Sequence, residues 1–203
     1  MLKPSGFNRD AFCACYGMAE CSLAVSFAPL NAGLNIDSVD GDWLSEHRQA
    51  LPVETKEFDG AVRSSMFVDC GAPLADYEVE IRDAQGHALP ERHVGELLLR
   101  GTSVTPGYYN LPEKTEELLE GGWLHSGDAG YIDDNGHLVV IDRVSDVMHN
   151  KNGDMFSPMF LENKLKFSPY IKEAVIFGDK RDFVAALINI DRIVVGKWAE
   201  DRG

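Results

Sequence analysis

Two residues of opposite charge stand where a chain reversal would bring them side by side: Asp128 and Arg143. Asn135-Gly136 lies between two apolar runs, Tyr131-Ile132 and Leu138 to Ile141, and that pairing is the strongest short-range signal for a hairpin. Ser126-Gly127-Asp128 opens the run before the turn, and Asp142-Arg143 closes the run after it. A tight hairpin therefore holds a carboxylate and a guanidinium together at its open end. That pair suits a ligand carrying vicinal hydroxyls or phosphate. The alternative is an ordinary surface ion pair at strand ends, which contributes little.

A second candidate lies near the start of the chain. Phe12-Cys-Ala-Cys-Tyr16 is a short apolar run that reads as a buried strand, and Gly17 ends it. Glu20 follows, and Leu23, Val25 and Phe27 then return to apolar character. A strand, a glycine turn and an exposed carboxylate make a site edge. Cys13, Cys15 and Cys21 cluster here, with Cys70 further on, but no histidine or further cysteine stands at zinc-like spacing. They read as reduced, partly buried thiols of a cytoplasmic protein.

The elements that must position these residues are those of an ordinary globular chain. It has 203 residues, 44% of them hydrophobic and 26% charged, enough for one large domain or somewhat more. The net charge of −14 excludes a nucleic-acid partner, whose phosphates demand a basic face. It equally opposes an anionic membrane surface. No apolar run has the length of a transmembrane segment, and Met1-Leu-Lys-Pro4 does not open a signal peptide.

Residues 30–65 are rich in turn formers and predict loops and short strands. Tyr77, Val79 and Ile81 alternate with Glu78, Glu80 and Arg82, which predicts a half-buried strand. Asp83 to Gly86 turns, and Val94 to Gly101 is a second strand. Pro112 to Glu120 predicts a short helix ended by Gly121-Gly122, with Leu118 and Leu119 facing the sheet. Trp123-Leu124 re-enters β structure and leads to Asp128. Ser145 to Asp154 is polar and reads as a linker or mobile loop. A helix capped by Ser157 follows, with Phe160, Leu161 and Leu165 on one face. Residues 173–177 and 184–190 read as strands, and Ile193 to Glu200 begins a further helix, with residues 191–203 expected to fray or to pack against a neighbouring chain.

In order along the chain, several stretches resemble the motifs of one family. Tyr16-Gly-Met-Ala-Glu20 resembles Tyr-Gly-x-Thr-Glu. Gly95-Glu to Arg100-Gly101, with Gly107-Tyr-Tyr and Pro112-Glu113, resembles Gly-Glu…Arg-Gly…Gly-Tyr…Pro-Glu. Trp123-Leu-His-Ser-Gly-Asp128 resembles Trp-x-x-Thr-Gly-Asp. Asp142-Arg-Val-Ser-Asp146 resembles a linker motif, and Gly153, Ser157-Pro158 and Glu162-Asn163 resemble the loop after it. The chain is thereby similar to the C-terminal part of an adenylate-forming, AMP-binding enzyme, specifically a long-chain fatty-acid–CoA ligase. Residues 66–93 look more like fatty-acyl-AMP ligases, and residues 157–190 more like long-chain acyl-CoA synthetases.

The resemblance implies an α+β fold. The antiparallel, β-rich end of the large adenylate-forming domain would cover 1–143, with a β subdomain from about residue 70. The linker and the start of a small mobile α+β domain would cover 144–203. It implies ATP, Mg²⁺ and coenzyme A as cofactors and a fatty acid as substrate, joined through an acyl-adenylate. Oligomeric state stays open, a homo-oligomer included. Carried over residue by residue, Tyr16 would lie against adenine, with Gly17 and Ala19 beside the nucleotide. Glu20 would hold Mg²⁺, Asp128 would accept both ribose hydroxyls, and Arg143 would approach the ribose and α-phosphate. Glu20 and Arg143 are thus the catalytic candidates. Gly153 belongs to the loop Lys151 to Asp154 that would move toward the thiol acceptor. Ala19 stands where the family has threonine, and Ser145 and His149 replace lysines. A Gly-rich phosphate loop with its lysine is absent from these 203 residues, so the chain is expected to be a part of a longer enzyme and inactive alone. Two alternatives stay open: a fatty-acyl-AMP ligase serving a carrier protein, and a non-catalytic nucleotide-binding or interaction module.

Overall fold

The computed structural model describes residues 5–53, 64–144 and 146–202. The chain is mixed α+β and divides into two compact units, Met1–Val144 and Ser145–Gly203. The first carries β1 (Cys15–Tyr16), β2 (Ser26–Phe27), β3 (Ile36–Asp40), α1 (Gly41–His47), β4 (Ser64–Val68) and β5 (Ala72–Pro73). It continues with β6 (Tyr77–Arg82), β7 (Gly95–Gly101), α2 (Pro112–Leu118), β8 (Leu119–Glu120), β9 (Trp123–Ile132) and β10 (Leu138–Arg143).

The main sheet is antiparallel, with strand order β10-β9-β7-β6 and β8 paired to β9. Its inner face follows from the alternation in β6: Val79 and Ile81 lie beside Leu97 and Leu99 of β7 and Leu124 of β9. Leu118 and Leu119 pack against this core, as expected. The outer face is charged. Glu80 and Leu98 are partners there, and Leu98 is fully buried. Both Arg82 and Arg100 lie over the Trp123 ring, at 5.0 and 4.5 Å, and ion pairs tie Arg82 to Glu80 and Arg100 to Glu78. Long charged side chains with apolar stems thus cover the outer leucine.

The β9–β10 hairpin forms, but its turn is longer than a two-residue Asn-Gly loop. Gly136 N donates to Asp133 O and Asp133 N to His137 O, with Gly136 at φ +77°. That is a type I turn followed by a bulge, a geometry that favours glycine at the left-handed position. The Asp133 carboxylate accepts from Asn135 N and His137 N at 2.8 Å each, which fixes the loop. Residues 83–87 and 150–154 repeat the same turn, with Asp83 and Asn150 as the capping side chains.

The closed end of this hairpin is anchored from two sides. His137 Nδ1 lies 2.9 Å from Asp69 Oδ2, whose residue is 2% exposed. Arg92 bridges Asp134 of the turn, at 2.6 Å, to Asp37 of β3, at 2.8 Å. Tyr131 Oη also donates to Asp37, at 2.8 Å. Asp69, Asp133 and His137 bring ligand atoms within 4.8 Å of one another. Asn35, Gly71, Asn135 and His137 occupy all four of those carboxylate oxygens, so the cluster acts as a clamp. Burying a carboxylate is tolerable only with this many donors.

The structure departs from the sequence expectations in several places. The run Phe12 to Tyr16 is not a buried strand: only Cys15–Tyr16 pairs as a strand, at a sheet edge, and Phe12 is 52% exposed. Residues 30–65 contain a helix, α1, which Asp40 caps by accepting from Asp42 N and Trp43 N. Within the stretch expected to be a linker or mobile loop, β11 (Met148–His149) pairs with β12 (Met155–Phe156). Ser145 lies outside the described residues.

The second unit continues with α3 (Pro158–Lys166), β13 (Ile171–Phe177), β14 (Ala185–Ile190) and α4 (Arg192–Glu200). Ser157 caps α3 by accepting from Phe160 N at 3.0 Å. Glu162 on α3 accepts from Ile176 N at 2.9 Å and so ties the helix to β13. Phe160 faces outward, 50% exposed, with the Lys164 ammonium over its ring. Asp191 caps α4 by accepting from Ile193 N and Val194 N.

Candidate functional site

The β9–β10 register places Asp128 directly opposite Arg143. What projects Asp128 from the sheet is a break in the β7–β9 ladder. Glu96 pairs with Ala129 and Leu98 with His125, so Leu97 alone stands opposite Ser126, Gly127 and Asp128. Bulges of this kind re-aim a side chain at a strand edge. Three contacts fix the bulge. Ser126 Oγ donates to Leu97 O at 2.7 Å and accepts from Asp128 N at 3.0 Å, while Glu96 accepts from Gly127 N at 3.2 Å. Gly127 has φ +69° and its added Cβ would lie 3.3 Å from Arg143 Nη1, so glycine gives both the conformation and the space.

Both oxygens of Asp128 have partners. Tyr16 Oη donates to Oδ2 at 2.5 Å, and Arg143 Nε lies 3.1 Å from Oδ1. Arg143 Nη1 also donates to Ser126 O at 2.8 Å. Burial and the neighbouring Asp128 carboxylate push the Tyr16 phenol far above its ordinary value. Tyr16 therefore stays a donor throughout the physiological range. Its place depends on Gly17, where an added Cβ would lie 1.7 Å from Leu23 O. The chain folds back there so that Val25 N donates to Tyr16 O at 2.9 Å.

Glu20 lies in the short 3-10 turn Ala19–Cys21, with Ala19 exposed beside it. Tyr108 Oη donates to Glu20 Oε1 at 2.6 Å. That hydrogen bond holds the Glu20 carboxyl below its ordinary range, and the positive charge of Arg143 adds to it. Tyr16, Asp128 and Arg143 are thus in direct contact, Glu20 is paired with Tyr108, and the charge of Arg143 also acts on Glu20. The sequence reading used Gly107-Tyr108 as a motif but gave Tyr108 no role. Gly153 lies in the second unit, where φ +91° in the turn 150–154 accounts for the glycine.

Chemically, the cluster offers a carboxylate with two acceptor oxygens, an adjacent guanidinium that is 53% exposed, and a separate carboxylate held ionised. The first two match a diol next to phosphate. An oxygen ligand such as Glu20 fits Mg²⁺, which binds through one or two carboxylates together with substrate phosphates.

Comparison with known proteins gives the same direction. Residues 5–109 match the model of the AMP-binding enzyme family, and residues 145–200 match the AMP-binding enzyme C-terminal domain. A putative ligase of Mycobacterium tuberculosis, Rv1013, is 44% identical over 146 residues, 72% of this chain and 26% of the relative. The long-chain-fatty-acid–CoA ligase FadD15 of Mycobacterium bovis is 32% identical over 149 residues, 71% of this chain and 23% of the relative. A solved structure from work on fatty acyl-adenylate ligases of E. coli and L. pneumophila superposes with TM-score 0.79 at 30% identity. It covers 97% of this chain and 35% of that one. The chain therefore spans about a quarter of the length of these curated relatives.

Proposed function

The chain belongs to the AMP-binding enzyme family, and on that premise we propose that it carries the nucleoside end of the active site of a long-chain fatty-acid–CoA ligase. The observation that supports this most is Asp128, lifted from the sheet by its bulge with Tyr16 on one oxygen and Arg143 on the other. In this reading Asp128 accepts the two ribose hydroxyls. The Tyr16 ring lies against adenine while its hydroxyl keeps Asp128 aimed. Gly17 and Ala19 leave room for the nucleotide beside the turn. Arg143 gives up Asp128 Oδ1 to the ribose and turns its exposed guanidinium to the α-phosphate. Glu20 would hold Mg²⁺, which when bound supplies neutralisation of the phosphate charge. In this reading residues 144–203 belong to the small mobile domain, and the turn containing Gly153 is its loop for the thiol-transfer step.

A second reading concerns the acceptor. Likeness to a fatty acyl-adenylate ligase structure at 30% identity supports transfer to a carrier-protein thiol, while likeness to a long-chain-fatty-acid–CoA ligase supports coenzyme A. An enzyme completed to the length of the relatives decides between them when both thiols are offered in parallel.

The site itself is tested on this chain by calorimetric titration with AMP. Pyrophosphate release from ATP, Mg²⁺ and fatty acids of varied length is measured alongside. The expected result is high-micromolar or weaker AMP binding, about −5 kcal/mol, and no pyrophosphate, because the phosphate-cradling loop is not among these residues. No AMP binding at millimolar concentration would point instead to an interaction module. Submicromolar AMP affinity or steady turnover would show a more complete site.

A further inference from the structure

We propose that Tyr108 is a positioning residue that holds the Glu20 carboxylate in the orientation needed for a divalent cation. The inference rests on the reading of Glu20 as the metal carboxylate. Glu20 stands on a 3-10 turn of only three residues, Ala19–Cys21, which leaves its side chain free to rotate unless something holds it. Two ties come from one loop. Thr105 N donates to Glu20 O at 2.7 Å, and Tyr108 Oη donates to Glu20 Oε1 at 2.6 Å. The second distance is in the range of a charge-assisted O–H···O⁻ bond.

The loop that delivers the hydroxyl is itself built to hold it. Tyr108 N donates to Thr115 Oγ1 of α2 at 2.9 Å, and the same hydroxyl donates at 2.9 Å to the carbonyl of Leu111, the residue before the helix. Gly107 has φ +139°, and an added Cβ there would lie 2.3 Å from Thr115 Cγ2. Glycine is thus required for Tyr108 to reach across the 88 positions that separate it from Glu20. The phenol takes one of about four lone-pair sites on the carboxylate and leaves the rest for other ligands. Mg²⁺ demands near-octahedral geometry and gives up water reluctantly, so a pre-aimed carboxylate lowers the cost of binding.

The test uses Mn²⁺ as the probe ion, titrated into this chain with ATP present. It is followed by the paramagnetic relaxation of the Ala19 and Glu20 backbone amides. Tyr108→Phe removes only the hydroxyl, and the half-broadening concentration should rise about tenfold, the lower end of what loss of an outer-shell partner costs. AMP affinity without metal should be unchanged. Glu20→Gln should abolish the broadening; if it does not, the assignment of Glu20 to the metal fails. If Glu20→Gln abolishes it and Tyr108→Phe leaves it unchanged, the positioning proposal fails while the metal assignment stands. Thr115→Val loosens the same loop but keeps the phenol. Because that loop holds the phenol, Thr115→Val should weaken the Mn²⁺ response in the same direction as Tyr108→Phe but by less, and a Thr115→Val loss beside an unchanged Tyr108→Phe response would overturn the proposal in favour of loop stability alone.

Discussion

Replacing Asp128 by asparagine keeps the shape of the side chain and removes its charge. Tyr16 Oη keeps an acceptor in the amide oxygen, so the contact at 2.5 Å survives as a neutral hydrogen bond. The pair with Arg143 is lost, but that guanidinium is 53% exposed, and such a pair contributes about 0–1 kcal/mol. Folding stability should therefore change little. Nucleoside binding should change more. A hydrogen bond to a charged acceptor contributes about 1.5–3 kcal/mol. The ribose must also take Oδ1 over from Arg143, which offsets part of that gain. The lower end applies, and AMP affinity should fall roughly tenfold. Calorimetric titration with AMP and a thermal melt of the same sample read the two quantities separately. Unchanged AMP affinity would refute the ribose assignment. A large fall in melting temperature with an unchanged binding constant would make Asp128 a structural residue.

Gly17→Ala should destabilise the first unit by about 1–3 kcal/mol, because the new methyl meets a backbone carbonyl at 1.7 Å; chemical denaturation reads it, and an unchanged midpoint would contradict the fold-back at Leu23. Tyr16 and Tyr131 both have strongly raised phenol pKa values, from burial first and a neighbouring carboxylate second. Their folded values lie above the unfolded ones, so their stabilisation is complete below about pH 10 and is lost as the pH rises toward the folded values. Ultraviolet titration should show these phenols ionising only as the chain unfolds in alkali, and reversible ionisation near the ordinary value in the folded chain would contradict the contacts. His137→Ala removes one of two side-chain donors to buried Asp69 Oδ2 and should cost about 1–3 kcal/mol, seen as a lower denaturation midpoint.

The part of the site that depends on local order was legible in the sequence. Asn135-Gly136 between apolar runs gave the hairpin, and the hairpin gave the Asp128–Arg143 pair at its open end. The turn type was not, because Asp133 rather than Asn135 organises it by accepting two backbone N–H groups. The same capping pattern at Asn150 explains why a polar stretch expected to be a loop pairs as β11 and β12. Helix α1 was hidden by Gly41 and Asp42, turn formers that here follow a capping Asp40. Contacts across the chain left no local trace. Tyr16 and Asp128 are 112 positions apart, and Tyr108 and Glu20 are 88. No period or spacing encodes such a meeting, so only the family motifs could place Tyr16, Glu20 and Asp128 together. Tyr108 escaped because a motif says that a residue recurs, not what its hydroxyl touches.

The central claim is that Tyr16, Glu20, Asp128 and Arg143 form one nucleotide site. Titration of isotope-labelled chain with AMP, followed by amide chemical shifts, tests it most directly. The predicted result is a set of saturable shifts centred on residues 16–20, 126–128 and 143, weakened by Asp128→Asn. Shifts centred elsewhere in the chain, or none at millimolar AMP, would contradict it.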